Sequence, residues 1–364
     1  MKKLDNENKV RVAIVGLGNC ASSLIQGISF YRKNKSLDGL MHDNLGGYKL
    51  SDIEIVSAYE INTEKIGKDI SEAIFISSNN TKVFYTGVRY FKNKVKAGPI
   101  LDGVSHLTRK LFRPHSIKKY LPKWEGEIVK DLKSNNIDVL VLYLPVGSKK
   151  AAEFYAKCSL KARVALVNAM PVFICSEKKW SDKFASAGIP CAGDDIKSQI
   201  GATILHRNLV SLIESRGQII DNTFQLNIGG NTDFLNMLEE ARLESKRISK
   251  TEAVSKISNS KFDMRIGPSD YVAYLKDNKI CYIEINGKQF GGVPFKIELR
   301  LSVEDSPNSA GVMVDVLRLL KISLDRGMGG YQHFSSYYFK HPKKQINDNE
   351  ARDVVEKFIN NKFV

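Results

Sequence analysis

Residues 10–16 (VRVAIVG) form an unbroken apolar run that stops at a glycine, and an apolar-faced helical pattern starts at about Asn19. Apolar residues on consecutive positions suit a strand buried on both faces, the condition of a parallel sheet covered by helices. The same grammar recurs. A strand is expected at 53–60 (IEIVSAYE), followed by a helix from Asn62 to about Ser77. Further strands are expected at 138–144 (DVLVLYL), 163–168 (RVALVN) and 189–193 (IPCAG), the last leading through Asp194-Asp195 into a helix from about Ile196 to Ser215. Strands alternating with helices at this spacing define an α/β fold, a Rossmann-type doubly wound parallel sheet. The basic stretch 86–123 interrupts the alternation and reads as a long surface excursion.

From about residue 218 the pattern changes. QIIDNTFQLNIGG, KICYIEINGKQ and VPFKIELRLSVED are β-rich runs, with Asn286-Gly287 expected as a turn and helices expected at 233–247 and 249–258. An amphipathic helix is expected at 308–327. The division is therefore 1–203 for a dinucleotide-binding unit, 204–303 for an inserted α+β catalytic and oligomerisation unit, and 304–364 for helices returning to the first.

In the run GLGNCA, Gly16 permits the tight strand-to-helix turn. Gly18 lets backbone N–H groups approach a pyrophosphate, whose charge the helix N-terminus favours. Asn19, Cys20 and Ala21 complete the turn, with Cys20 read as a small packing residue. Glu60, closing the second strand, is placed to accept from adenosine ribose hydroxyls and to repel a 2′-phosphate, favouring NAD over NADP. It would otherwise be a solvated strand-end acid.

Lys246 and Lys250 in SKRISKTEAV are four apart, which puts both ammonium groups on one face of a helix. Like charges so placed ease deprotonation of one another or hold an anion between them. Without neighbouring motifs such a pair is an ordinary solvated helix face.

The neighbouring motifs are present. GLGNCASSLIQG, YLPVGS, VNAMPVF, GDDIKSQIGATILHR, NIGGNTDFLN, SKRISKTEAV and EDSPNSAGVMVDVLRL together resemble the myo-inositol-1-phosphate synthases, in particular their shorter prokaryotic branch, over about residues 10–342. The resemblance implies conversion of glucose 6-phosphate to inositol phosphate with regenerated NAD: oxidation at C5, loss of a proton from C6, intramolecular aldol closure onto C1, and reduction of the inosose. It implies that Lys246, Lys250 and Lys340 (in YYFKHP) stabilise oxyanions and relay protons. It also puts Asn227, Asn231 and Asp233 around substrate and cofactor, and Asp305 in both the catalytic and cofactor sets. Leu144, Pro145, Asn168, Asp194, Asp195, Lys197, Ser198 and Ala310 are implied as further cofactor contacts. Many eukaryotic members read G-D-S-K where this chain has Gly267-Pro268-Ser269-Asp270, which leaves Ser269, Lys276 and Lys279 as the candidates for phosphate. Asp305 is also a candidate cap for the helix starting near Pro307. A homotetramer follows by the same analogy. A divalent or monovalent cation near the phosphates is compatible with it, although no ligand spacing calls for a metal.

Composition narrows the rest. The formal charge of +15 is dispersed, without a helix-turn-helix, zinc-finger or RNP pattern, and reads as a solvated basic surface rather than a nucleic-acid footprint. Five scattered cysteines with no C-x-x-C pair, together with the lack of a visible secretory signal or membrane-length apolar run, predict a cytoplasmic protein without disulfides or membrane attachment. Two rivals stand beside the synthase reading: a dehydrogenase of another phosphorylated or amino substrate, which would leave net NADH, and a non-catalytic NAD-binding sensor or nucleic-acid-binding regulator.

Overall fold

The computed structural model describes residues 9–34, 36–238, 244–258 and 261–361; the side chains of residues 244–247, 250, 268 and 269 fall outside that description. The chain opens with β1 (Val10–Val15) and α1 (Asn19–Asn34), then a small hairpin of β2 (Asn44–Leu45) and β3 (Tyr48–Lys49). It continues through β4 (Ile53–Glu60), α2 (Ile70–Ala73), β5 (Lys96–Ala97), α3 (Leu121–Ser134) and β6 (Val139–Leu142). Then come α4 (Lys149–Ala162), β7 (Ala165–Asn168), α5 (Lys178–Ser186), β8 (Pro190–Gly193) and α6 (Ala202–Ser215). The second half holds β9 (Ile219–Gly229), α7 (Thr232–Asn236), α8 (Glu244–Ser255), β10 (Asp263–Tyr271), β11 (Asn278–Lys288) and β12 (Pro294–Glu304). It ends with α9 (Asp305–Asp325), β13 (Gly330–Tyr331), α10 (Ser335–Tyr338) and α11 (Asp348–Ile359).

Two main sheets result. The first is seven-stranded and parallel, in the order β13-β8-β7-β6-β1-β4-β5. Its continuous apolar strands feed two cores at once: in β1, Val12 and Ile14 pack toward α1 and α9, while Ala13 and Val15 pack toward α3, α4 and α5. The second sheet, β10-β9-β11-β12, pairs β10 parallel to β9 and the rest antiparallel. Its core lies under α6, with Val210 and Ile213 against Ile220, Ile283 and Ile285.

Several sequence expectations shift. The helix expected over 62–77 shrinks to α2. Gly67 turns at φ +83°, and the backbone of Gly67 and Ile70 donates instead to Val95 and Asn93, tying the stretch to a neighbouring segment. The helix expected from Ile196 starts at Ala202, because the preceding N–H groups are taken elsewhere: Asp195 and Ile196 donate to Met170 and Ala169, Lys197 to Tyr338, Gln199 to Asn308. Asn286-Gly287 is not a turn but a register shift inside β11, where a Cβ on Gly287 would sit 2.2 Å from the Ile219 carbonyl. The reversal falls instead at Gln289–Val293, over the positive-φ pair Gly291-Gly292. The helix expected over 233–247 is short within the described residues, ending at Asn236, and α8 covers 244–255. β10 was not among the expected strands; its Gly267-Pro268 hides the alternation.

α9 is the central strut. It begins at Asp305, directly after β12, and buries most of its length against the first sheet. Arg318 on this helix is 0% exposed and donates to the carbonyls of His42, Asp43 and Val314 and to Asp315, whose other oxygen takes His42 Nδ1 at 2.6 Å and the Tyr338 hydroxyl at 3.2 Å. Substituting Arg318→Met removes the guanidinium from a buried carboxylate and from four carbonyls, those of His42, Asp43, Tyr48 and Val314. A loss of roughly 3–5 kcal/mol is expected in urea unfolding, and a variant as stable as the wild type would contradict this account.

Candidate functional site

Where β1 meets α1 the chain turns at Gly16, with φ +89° and room for no side chain: a Cβ would lie 2.2 Å from the Tyr143 carbonyl. Gly16 N–H donates to Tyr59. The next residue, Leu17, donates its N–H to Glu60 Oε2 at 2.9 Å, while Glu60 Oε1 accepts from Ile61 at 2.7 Å. The acid at the end of β4 is therefore locked against the glycine turn. Lys65, 3% exposed, braces the same corner by donating to the Leu17 carbonyl at 2.9 Å and to Asn79 Oδ1 at 2.8 Å, with Glu60 Oε2 3.9 Å away. Burial lowers its pKa, and the Glu60 charge works against that.

The second sheet closes over this corner. Gly229 and Gly230 in NIGGN let segments approach: a Cβ on Gly230 would lie 2.4 Å from the Val272 carbonyl, and one on Gly229 2.5 Å from the Phe234 ring. Asn231 caps α7, accepting from Asp233 and Phe234 N–H at 3.0 and 3.2 Å. Asn227 donates to the Gly267 carbonyl at 2.8 Å.

Asp277 joins the pieces. It is 1% exposed and accepts from Asn231 Nδ2 at 3.1 Å, Asn19 Nδ2 at 3.3 Å, the Ser306 hydroxyl at 3.0 Å and Ser306 N–H at 3.1 Å. The capping expected of Asp305 is thus done by Asp277 from the turn before β11, and Asp305 instead ion-pairs with Lys279. Burial first, and the Asp305 charge second, push the Asp277 carboxyl up to about 6. Burial and the Asp277 charge hold the Cys20 thiol up at about 12, so Cys20 stays neutral and is no nucleophile.

On the opposite wall Lys340 Nζ donates to Asp195 Oδ1 at 3.0 Å and to the Ile196 carbonyl at 2.7 Å. Asp195 also accepts from the Ser249 hydroxyl on α8, so the helix that bears Lys246 and Lys250 is tied to this acid. The side chains of Lys246 and Lys250, like that of Ser269, lie outside the described residues.

One cleft collects most of the expected residues: Gly16, Gly18, Asn19, Cys20, Glu60, Leu144, Pro145, Asp195, Ser198, Asn227, Asn231, Asp233, Lys279, Asp305 and Lys340. Others stand behind its wall. Asn168 and Asp194, both 0% exposed, bond to each other at 2.7 Å, and Asp194 also takes the N–H groups of Ile174, Cys175 and Ser176. These donors leave it no free edge for a cofactor, and burial raises its pKa to about 6. Lys197 is spent on Asp348 and the Ser336 carbonyl, its pKa lowered to about 7 mainly by burial. Ala21 and Ala310 are core residues, and Lys276 is not in the wall. Sequence reasoning missed Lys65, Tyr143, Asn236, Asp277 and Ser306, which do line or brace the cleft. For Asp277 and Ser306 a signal existed, in KDNK two residues before Lys279 and in EDS beside Asp305. Among the described residues no group of three His, Cys, Asp or Glu side chains could hold a metal ion.

A seven-stranded parallel sheet with a glycine turn, facing a second sheet whose Lys279 pairs with Asp305 while Lys340 pairs with Asp195 after β8, defines an α/β protein of Rossmann type. The myo-inositol-1-phosphate synthase family model matches residues 201–306. The inositol-3-phosphate synthase of Mycolicibacterium smegmatis is 48% identical over 98% of this chain and 99% of its own length. That of Corynebacterium glutamicum is 46% identical, covering 96% and 98%. A crystal structure of a myo-inositol-1-phosphate synthase-related protein from Thermotoga maritima superposes with a TM-score of 0.81 at 25% identity, covering 97% of this chain and 99% of that one. The chain belongs to the myo-inositol-1-phosphate synthase family.

Because the Asp277 pKa is raised from 3.8 to about 6, the folded state holds a proton that the unfolded chain has lost. That contribution is full below pH 3.8 and disappears as pH rises through 6. Asp277→Asn cannot ionise, so wild-type stability should fall relative to the variant between pH 4 and 7, by on the order of 1–3 kcal/mol in paired urea titrations. A constant difference across that range would contradict the assignment.

Proposed function

We propose that the chain is an inositol-3-phosphate synthase, an isomerase that converts D-glucose 6-phosphate to 1D-myo-inositol 3-phosphate. The observation that carries the reading is the pairing of a glycine turn with ammonium groups held on carboxylates in one cleft, Lys279 on Asp305 and Lys340 on Asp195. Near-full-length identity to synthases of that name supports it.

NAD fits the first half of the cleft. The Gly16 turn has space only for backbone, and Glu60 sits at the end of β4 beside it. When bound, NAD supplies the hydride acceptor and donor that make the net reaction an isomerisation. Gly16 and Gly18 would admit its pyrophosphate at the start of α1, Glu60 would face the ribose, and Tyr143, Leu144 and Pro145 would form the wall behind.

The chain's own residues handle the protons and charge. Enolisation and aldol closure develop negative charge on oxygen, and a fixed ammonium lowers the barrier to both. Lys279 and Lys340 are aimed by their carboxylates, which restricts them to a few positions and makes them oxyanion partners. Lys246 and Lys250, four apart on α8, are further proton relays in this reading, by family resemblance. Phosphate would bind among the same lysines, with Ser198 on the wall. Cytoplasmic residence agrees with five free cysteines and with the finding that no helix among the described residues is long and apolar enough to cross a membrane. Homotetramer assembly remains part of the proposal, by family analogy.

Purified protein given glucose 6-phosphate and catalytic NAD should form inositol phosphate with no net rise in NADH absorbance. NADH accumulating in step with substrate loss would replace this reading with an ordinary dehydrogenase. Lys279→Ala should lower kcat by ~10²–10³, the usual cost of losing one oxyanion partner, in the same assay.

A further inference from the structure

Asn236 closes α7, is 0% exposed and lines the cleft, yet neither its carboxamide oxygen nor its nitrogen has a hydrogen-bond partner among the described residues. A buried amide left unpaired on both atoms is costly, and native interiors hold few of them. The other two asparagines of the same motif are used up by the protein: Asn227 on the Gly267 carbonyl, Asn231 on the α7 N–H groups and Asp277. A purely structural residue at 236 would be better served by leucine, which has similar bulk and nothing to satisfy.

A carboxamide presents an acceptor and a donor side by side. It matches a ligand that offers both at neighbouring points, as two adjacent sugar hydroxyls do, whereas a phosphate only accepts. In the synthase reading the residue also sits on the substrate side of the cleft. It is carried by α7, on the second sheet with Asp233 one turn before it, and not by the elements that form the glycine turn. We propose that Asn236 is a substrate-recognition residue that binds a pair of sugar hydroxyls of the hexose phosphate through its carboxamide. The ligand named here rests on the synthase reading above.

The test uses the NAD-loaded full-length protein, with Asn236→Leu and the isosteric Asn236→Asp, which keeps the shape but loses the donor. Three quantities are measured: kcat/KM for glucose 6-phosphate, inhibition constants of its 2-, 3- and 4-deoxy analogues, and the NAD dissociation constant by fluorescence. Both variants should lose ~10–100-fold in kcat/KM, the scale of one or two buried hydrogen bonds to ligand, with NAD affinity within about twofold of wild type. The deoxy analogue that wild type discriminates against should bind the leucine variant as well as the others do. The apo leucine variant should melt no lower than wild type, which separates lost recognition from lost fold. Unchanged kcat/KM in both variants, or a weakened NAD site with sugar selectivity intact, overturns the assignment. If wild type itself leaves glucose 6-phosphate unconverted, the synthase reading falls and takes the sugar ligand with it.

Discussion

The site depends on one buried carboxylate. Asp277 reaches the first helix through Asn19, the asparagine-rich turn through Asn231, and the start of α9 through Ser306. A charge out of water is tolerable only when hydrogen bonds replace its hydration. Four donors do so here, and the residual penalty appears as the raised pKa. Removing any donor shifts the balance further toward the neutral acid and loosens one of the links between α1, the asparagine-rich turn and α9.

The lysines follow the same logic with the sign reversed. Lys279 and Lys340 each meet a carboxylate, and Asp195 is shared with the hydroxyl of Ser249 on α8. An unpaired ammonium on a flexible stem would wander among rotamers; pairing gives up part of its reach for a defined direction. The paired acids belong to backbone at the C-terminal edge of the first sheet and at the start of α9, so the alignment of the charges is inherited from the fold.

How much was legible follows from what each signal measures. Buried parallel strands announce themselves by continuous apolar residues, so β1, β4, β6, β7 and β8 were readable to within a few residues. The start of α1 at Asn19 was readable too, but that of α6 was not, because it depends on where backbone donors find partners, as the stretch before Ala202 shows. The glycine turn, Glu60, Asp195, Lys279, Asp305 and Lys340 stand in readable strings, and all of them line the cleft. Asn168, Asp194 and Lys197 carry motifs too, but their side chains turn into the scaffold, and a motif string does not tell whether its polar residue faces a ligand or bonds its own chain. Asp277 was missed for the opposite reason: its partners lie at 19, 231 and 306, a relation with no periodicity along the chain.

The route by which β12 runs straight into α9 has a consequence for recombining such proteins. A chimera that swaps the second sheet, residues 219–304, imports Asn231 and Asp277 but leaves Asn19 and Ser306 to the recipient. The graft keeps the Asp277 bonds only if both parents place the same donors at those recipient positions. The seam is thus a lock cut partly in each half: besides these four side chains, Lys279–Asp305 and Ser249–Asp195 also cross it, so module exchange in this architecture has to match side-chain partners as well as the junction.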